Sequence, residues 1–146
     1  LWEAWRWTVQ ELPGCVRVNL PFHRDHPAAI VTAGAPEQGW LVVKLRRDAD
    51  VQVRTPAWAD RAGVTVLRNG QPAPVQWAGP DNAYVACPGM ARGETLQVHW
   101  PVAAFVQRQT LLSVPGGEVD LTVQWEGNEV EAVDPCGKYL PLFEHR

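Results

Sequence analysis

Residue types that often do chemistry are present in this chain of 146 residues, but few stand at a spacing that completes a known site. His23 and His26 have the His-x-x-His spacing of some zinc ligands. Two ligands do not complete a zinc site, so an exposed loop is the simpler interpretation. Ser113 is the only serine and lies in no Gly-x-Ser-x-Gly turn, which argues against a serine hydrolase.

Acidic residues are the second group with catalytic potential, because paired carboxylates are the usual tools for cleaving glycosidic bonds. The acidic residues of this chain fall mostly at predicted turns or on the solvent faces of predicted strands. Such positions lack the burial that perturbs a pKa, so we expect none of them to be a catalytic acid. The acids weighed for this role include Asp60, Asp81, Glu94, Asp120, Glu126 and Asp134.

Three cysteines, Cys15, Cys87 and Cys136, lie far apart in the chain, and the sequence contains no Cys-x-x-Cys pair. We expect three reduced and mostly buried thiols, which favours a reducing compartment. One disulfide with one free thiol is the alternative. No secretory signal is visible, so a cytoplasmic location is expected. The chain begins with Leu1 rather than Met, from which we expect a fragment of a longer protein.

The charge balance argues against two classes of partner. The formal net charge is −3, so there is no basic excess to hold a phosphate backbone. No apolar run in the sequence approaches the length of a membrane span, and no run of like charge suggests an anionic lipid surface. We therefore expect neither nucleic acid nor a membrane as a partner.

Tryptophan is the compositional oddity, with eight residues against three Phe and two Tyr. Exposed, coplanar indoles would serve as sugar-stacking platforms, whereas buried indoles would anchor a core. Trp40 is the best stacking candidate, because it lies opposite the predicted buried face of Leu41, Val43 and Leu45. The eight residues are Trp2, Trp5, Trp7, Trp40, Trp58, Trp77, Trp100 and Trp125.

Alternating apolar and polar residues dominate the chain after residue 12 and predict many short strands. Strands with one apolar and one polar face are typical of antiparallel sheets. Asn69-Gly70 predicts a two-residue hairpin, because both central residues of a type I′ turn need positive φ. We therefore predict an all-β fold, an antiparallel and jelly-roll-like β-sandwich, over 13–146. The alternation is seen at 16–20, 41–45, 51–53, 64–66, 96–100 and 119–125.

The first twelve residues break this pattern. Trp2, Trp5 and Val9 recur at helical spacing, and Pro13-Gly14 ends the periodicity. We therefore predict a short helical segment over 1–12. A short amphipathic helix with so much Trp would need a partner surface.

An ordered set of short motifs runs through the block 51–112. It comprises Val-Gln-Val-Arg-Thr-Pro-Ala-Trp-Ala at 51–59, Asn69-Gly70, Ala83-Tyr84-Val85, Arg92-Gly93-Glu94-Thr95-Leu96 and Trp100-Pro101-Val102. Their order and spacing resemble the β-sandwich region of glycoside hydrolase family 127, the β-L-arabinofuranosidase-like proteins. The stretches at 16–20 and 123–142 are similar to a subset of these proteins, so the resemblance spans nearly the whole chain.

The resemblance implies that the catalytic residues of the parent enzyme lie outside this chain. Members of the family have an (α/α)₆ barrel that holds zinc through cysteines and a glutamate, with one cysteine as the nucleophile. Cys15, Cys87 and Cys136 match none of that motif. No catalytic or metal-binding residue is therefore carried over, and no cofactor is expected in this chain, although the parent enzyme would hold zinc.

On this resemblance, the chain is expected to be a non-catalytic C-terminal β-sandwich domain that supports the missing barrel of the same polypeptide and is inactive alone. Residues 1–12 would then be the end of a catalytic-barrel helix or a linker. Two alternatives stay open. One is a carbohydrate-binding module for arabinose-containing glycans, with Trp40 as the stacking residue. The other is a protein-interaction β-sandwich that uses the N-terminal Trp patch. The candidate domain-interface residues are Trp2, Trp5, Arg54 and Trp58.

Overall fold

The computed structural model describes residues 5–35, 38–113, 117–127 and 129–135. Within these ranges the chain forms strands and no helix of seven or more residues, so the predicted all-β fold is confirmed. No helix in the described part is long and apolar enough to cross a membrane. The strands are β1 (Val9–Leu12), β2 (Cys15–Val18), β3 (Arg24–Asp25), β4 (Ala29–Ala33), β5 (Trp40–Leu45), β6 (Ala49–Arg54), β7 (Thr65–Arg68), β8 (Gln71–Ala73), β9 (Gln76–Ala78), β10 (Tyr84–Met90), β11 (Thr95–His99), β12 (Ala104–Ser113), β13 (Gly117–Glu126) and β14 (Glu129–Asp134).

Residues 1–103 form one compact unit, which contains two sheets. The first sheet has the strand order β1-β2-β6-β10-β9, and the second has the order β3-β4-β5-β11-β7-β8. Neighbouring strands among the described residues pair antiparallel, with one exception. Strands β2 and β6 run parallel, with Val16 opposite Val51. One buried apolar cluster draws side chains from both sheets, so the two sheets pack face to face as a sandwich.

The core of the sandwich follows from the alternation in the sequence. Leu41, Val43 and Leu45 of β5 are buried together with Leu96 and Val98 of the neighbouring β11. Successive side chains of a strand point to opposite faces, so a period of two places each apolar set on the inner face. β-Branched side chains suit such pleated surfaces. The first sheet contributes the fully buried Val16, Val18, Val51, Val53 and Val85.

The predicted Asn69-Gly70 hairpin is confirmed. These two residues join β7 to β8 and have φ angles of 52° and 77°, the left-handed region that a type I′ turn requires. Asn69 does more than turn the chain, because its backbone N–H donates to the Thr95 carbonyl (2.9 Å) and its Oδ1 accepts from the Thr95 N–H (2.9 Å). The hairpin is thus tied to the start of β11.

A polar cluster lies beside this hairpin and is centred on Glu94. Its carboxylate accepts two hydrogen bonds from Arg68 (2.5 and 3.2 Å), one from Asn69 Nδ2 (2.7 Å) and one from the Ala91 N–H (2.7 Å). The Arg68 hydrogen bonds are the main reason why the Glu94 pKa falls from 4.5 to about 2. A carboxylate held ionised in this way is suited to fixing the turn, not to donating a proton near neutral pH.

Residues 104–146 form the second compact unit. Its described part is a three-stranded antiparallel sheet in the order β12-β13-β14. Phe105 and Trp125 lie directly opposite each other on β12 and β13, and their rings stack with centroids 6.1 Å apart. On the other face, Thr110 Oγ1 donates to Asp120 Oδ1 (2.7 Å). Cross-strand pairs of this kind are the unit of sheet stabilisation.

The predicted helix over 1–12 is wrong for the second half of that segment. Residues 1–4 lie outside the described residues, Trp5 and Arg6 are helical, the next two residues form a turn, and Val9–Leu12 is strand β1. β1 pairs antiparallel with β2, so Pro13-Gly14 is a hairpin turn rather than a helix end. Sheet pairing satisfies the backbone of β1 and buries Val9, which outweighs a weak helical spacing over a short segment. β1 therefore belongs to the same sheet as the strands after residue 12.

Candidate interaction surface

Trp5, a predicted interface residue, lies at the start of the described chain and is 40% exposed. The Arg24 guanidinium stacks on its ring, with Cζ 3.1 Å from the ring centroid, a cation–π contact. Within the described residues, no acceptor meets the buried Nε and Nη1 atoms of Arg24. Trp2, the other predicted N-terminal interface residue, lies outside the described residues.

Trp7 is the most exposed of the described tryptophans, at 56%, yet its backbone is held firmly. The Asn19 side chain donates from Nδ2 to the Trp7 carbonyl (2.9 Å), and the Asn19 N–H donates to the Thr8 carbonyl (2.9 Å). Asn19 Oδ1 in turn accepts from the hydroxyl of the buried Tyr84 (2.9 Å). The exposed indole is therefore anchored through Asn19 to the first sheet.

A charged cluster lies next to these residues. Glu11 forms an ion pair with Arg47 (2.8 Å), and its other oxygen is 3.9 Å from His26 Nδ1. The Ala28 N–H donates to the same Nδ1 (3.2 Å), so a neutral imidazole carries its proton on Nε2. Burial lowers the pKa of His26 and outweighs the opposing effect of Glu11, so His26 is neutral at pH 7.

An open depression of about 340 Å³ connects Trp7 with this cluster. Its lining combines one exposed indole with side chains that donate, accept or do both. The geometry is that of a shallow surface site and not of an enclosed pocket. The lining residues are Arg6, Trp7, Val9, Gln10, Glu11 and His26.

The other two predicted interface residues have different surroundings. Arg54 is exposed at the end of β6, where its backbone pairs with Tyr84 of β10. Trp58 follows β6 in a turn and is half-buried, with its ring packed against the sandwich core. The position of Arg54 leaves it available to a partner, whereas Trp58 already has a role in packing the chain itself.

Trp40, the predicted stacking residue, begins β5 and is half-buried. It pairs with His99 of β11 on the outer face of the second sheet. Its indole lies directly against Gly34, where an added Cβ would come within 2.6 Å of Nε1. The ring is thus partly covered by its own chain.

Two of the three cysteines are described, and both are free and buried thiols. Burial is the main cause that raises the pKa of Cys15 and of Cys87, so neither is a ready thiolate nucleophile. Cys136 lies outside the described residues. Among the described residues, no three His, Cys, Asp or Glu side chains come together to hold a metal ion, and His23 and His26 are part of no such group.

The sequence analysis missed two contacts, that of Asn19 with the Trp7 backbone and that of Arg24 with the Trp5 ring. Trp7 was counted only as one of eight tryptophans, because neither the alternation nor the helical spacing separates it from core residues. Asn19 and Arg24 are distant in sequence from the residues that they contact, and only the fold brings them together. An Asn directly after a strand is the one local signal that could have indicated a backbone anchor.

The architecture defines a class, the all-β folds with a predominantly antiparallel sandwich, and it is similar to part of solved glycoside hydrolases. A structure described as a glycoside hydrolase aligns with 70% of this chain and 17% of its own, at a TM-score of 0.50 and 17% identity. A GH127 β-L-arabinofuranosidase from Geobacillus stearothermophilus T6 aligns with 86% of this chain and 21% of its own, at a TM-score of 0.55 and 14% identity.

A further GH127 β-arabinofuranosidase aligns with 80% of this chain and 22% of its own, at a TM-score of 0.49 and 18% identity. The sequence matches no protein-family model and no curated relative. The fold resemblance to GH127 β-L-arabinofuranosidases that the sequence motifs predicted is confirmed. The chain spans about a fifth of the length of these solved structures.

Proposed function

We propose that this chain is a non-catalytic β-sandwich region of a β-L-arabinofuranosidase-like glycoside hydrolase, in which it supports an (α/α)₆ catalytic barrel. The observation that supports the proposal is the fold similarity to a GH127 β-L-arabinofuranosidase. The aligned region makes up 21% of the chain of that enzyme. A region of that size fits an accessory role, because the substrate specificity and the chemistry of an enzyme depend on its active site and not on a supporting domain.

The described side chains support this division of labour. The buried Cys15 and Cys87 thiols have raised pKa values, and Glu94 is committed to Arg68 and to its own turn. The described residues do not offer a zinc site, so we assign the zinc of the proposed parent enzyme to the barrel and derive no step through it here.

Exposed groups on the sandwich suit contact with a barrel. Trp5 is partly exposed, and its ring already stacks with the Arg24 guanidinium, which presents it to one side. Arg54 offers an exposed cation at the end of β6. We therefore propose Trp5 and Arg54 as the barrel-facing residues.

The first test is activity. The purified chain, incubated with an aryl β-L-arabinofuranoside with and without added zinc, is expected to release no aryl product. A full-length GH127 β-L-arabinofuranosidase serves as the positive control in the same assay. Release that increases in proportion to the concentration of pure chain would contradict the non-catalytic assignment.

The second test addresses the supporting role. The reading frame around the codon for Leu1 should encode an (α/α)₆ barrel with a cysteine-rich zinc motif, and that barrel should bind the purified chain in gel filtration. The R54E substitution should weaken the association, whereas R92E, a matched charge reversal at an exposed turn, should not. A contiguous frame that encodes no barrel would refute the proposal.

A further inference from the structure

Trp7 combines exposure with a fixed position, which core packing does not require. More than half of its side chain is in solvent, but the Tyr84–Asn19 hydrogen-bond chain holds its carbonyl. Tyr84 is buried in the first sheet and its ring is covered by the Arg17 guanidinium (4.8 Å). An aromatic side chain on an anchored backbone loses less conformational freedom when it binds a ligand than one on a mobile segment does.

The depression beside Trp7 supplies hydrogen-bonding groups of both kinds. Glu11 can only accept, Arg6 can only donate, and Gln10 can do both. His26, with Nδ1 engaged by the Ala28 N–H, offers its Nε2–H as a donor. The Arg47 ion pair and the Ala28 hydrogen bond orient Glu11 and His26, so these polar groups are positioned before any ligand arrives.

We propose that the Trp7 depression binds a neutral saccharide, with one face of a sugar ring on the Trp7 indole and its hydroxyls on Gln10, Glu11 and His26. A sugar presents C–H groups on one face, which suit the negative face of an indole, and hydroxyls at its edge that both donate and accept. The volume of about 340 Å³ is in the range of small-molecule sites, roughly 300–1,000 Å³.

The surroundings of Trp7 favour a saccharide over a protein partner at this point. The cores of protein interfaces are depleted of Glu, Asp and Lys. Trp7 instead shares its depression with Glu11, whose carboxylate is paired with Arg47, and with a neutral His26. The inference is independent of the accessory role, because a sandwich can bind sugar with or without a barrel.

Trp40 provides the matched control, since it is the stacking residue predicted from the sequence and its indole is partly covered by Gly34. Titration of the full chain with arabinotriose, and separately with cellotriose, would be followed through the ¹⁵N-indole signals of its eight tryptophans. The Trp7 signal, assigned by its absence in W7A, is expected to shift saturably. W7A should lower the affinity about tenfold or more, and W40A should leave it within about twofold.

Several outcomes would overturn the inference. They are the absence of saturable shifts with both sugars at tens of millimolar, affinity lost in W40A but kept in W7A, and a Trp7 signal that responds only to the barrel polypeptide. The last outcome would assign Trp7 to the protein interface and leave the accessory proposal intact. Conversely, sugar binding at Trp7 by a chain whose reading frame encodes no barrel would refute the accessory proposal alone.

Asn19 allows a test of the anchoring argument. Asn19→Asp keeps the size of the side chain but replaces the Nδ2 donor with an acceptor that faces the Trp7 carbonyl. We expect a severalfold loss of affinity while the amide signals of the core strands keep their wild-type positions. Wild-type affinity in Asn19→Asp would show that a fixed Trp7 backbone is not part of the site.

Discussion

The sandwich in the first unit and the three-stranded sheet β12–β14 in the second unit are each stabilised by different interactions. The sandwich buries apolar side chains from two sheets in one cluster. In the second unit, the described side chains from 104 to 135 are all at least partly exposed, including Val106, Leu111 and Val130. Its visible stabilising features are strand pairing, the Phe105–Trp125 stack and the Thr110–Asp120 hydrogen bond.

The difference teaches that one alternating pattern can serve two purposes. In the sandwich, alternation fills a core that each sheet needs from the other, because burial of apolar area is the dominant favourable term in folding. In β12–β14 the same alternation gives an amphipathic sheet whose stability depends more on cross-strand neighbours. Equal sequence changes in the two units should therefore have unequal effects.

The largest expected difference comes from one substitution made in each unit. Leu96→Ala removes a fully buried side chain from the central strand β11 and should lower the free energy of unfolding by about 2–5 kcal/mol. Leu111→Ala shortens a side chain that is 47% exposed and should change the free energy of unfolding by about 0.5 kcal/mol or less. Urea denaturation followed by Trp fluorescence measures both.

Hydrogen exchange at the amides of β11 and β12 is the control for this pair, since it reports each unit separately. Comparable losses of stability in the two variants would break the comparison. They would mean that Leu111 gains a contact that its exposure does not reveal, and that the second unit has a core of its own.

A smaller effect is expected at Glu94. Its pKa is lowered from 4.5 to about 2 in the folded chain, so its carboxylate stabilises the sandwich above pH 4.5 and loses that contribution as the pH falls toward 2. Glu94→Gln should be less stable than the wild type at neutral pH, and the gap should narrow below pH 4.5. Thermal unfolding across this pH range measures the gap.

Arg68→Gln is the partner variant, because Arg68 is the first cause of the lowered Glu94 pKa. It should move the acid-induced loss of stability to a higher pH. A gap between wild type and Glu94→Gln that stays constant from neutral pH to about pH 2 would show that Glu94 acts by its shape and not by its charge.

Much of the sandwich could be predicted because alternation and turn chemistry are local signals. The core strands β5, β6 and β11 and the Asn69-Gly70 hairpin lie where the sequence predicted them. Pro88-Gly89 is a dipeptide typical of turns, but it is an irregularity inside β10, between the register positions of Cys87 and Met90. Pro and Gly are tolerated in a strand at such bulges, and the sequence does not distinguish a bulge from a turn.

The candidate surface was harder to predict because its residues meet only through tertiary structure. The helix predicted over 1–12 gives way to strand β1 at Val9, and the contact between the Trp5 ring and Arg24 had no signal in the sequence. Trp40 was selected because it alternates with the buried residues of β5, and this alternation places it correctly on the outer face of the strand. The alternation gives no information about Gly34, whose backbone covers part of the Trp40 ring.

The smallest expected effect tests the second unit directly. Thr110→Val keeps the side-chain shape and β propensity but removes the hydroxyl that donates to Asp120 across β12 and β13. Thr110→Val should lower the free energy of unfolding by about 0.2–1 kcal/mol, the range of single cross-strand pairs.

Thr122→Val, on the same face of β13, is the matched control, since no side-chain hydrogen bond of Thr122 is found among the described contacts. Hydrogen exchange of the β12 and β13 amides measures both variants. If Thr122→Val costs as much as Thr110→Val, the hydroxyl–carboxylate pair does not stabilise the sheet, and backbone pairing with the Phe105–Trp125 stack must account for its stability.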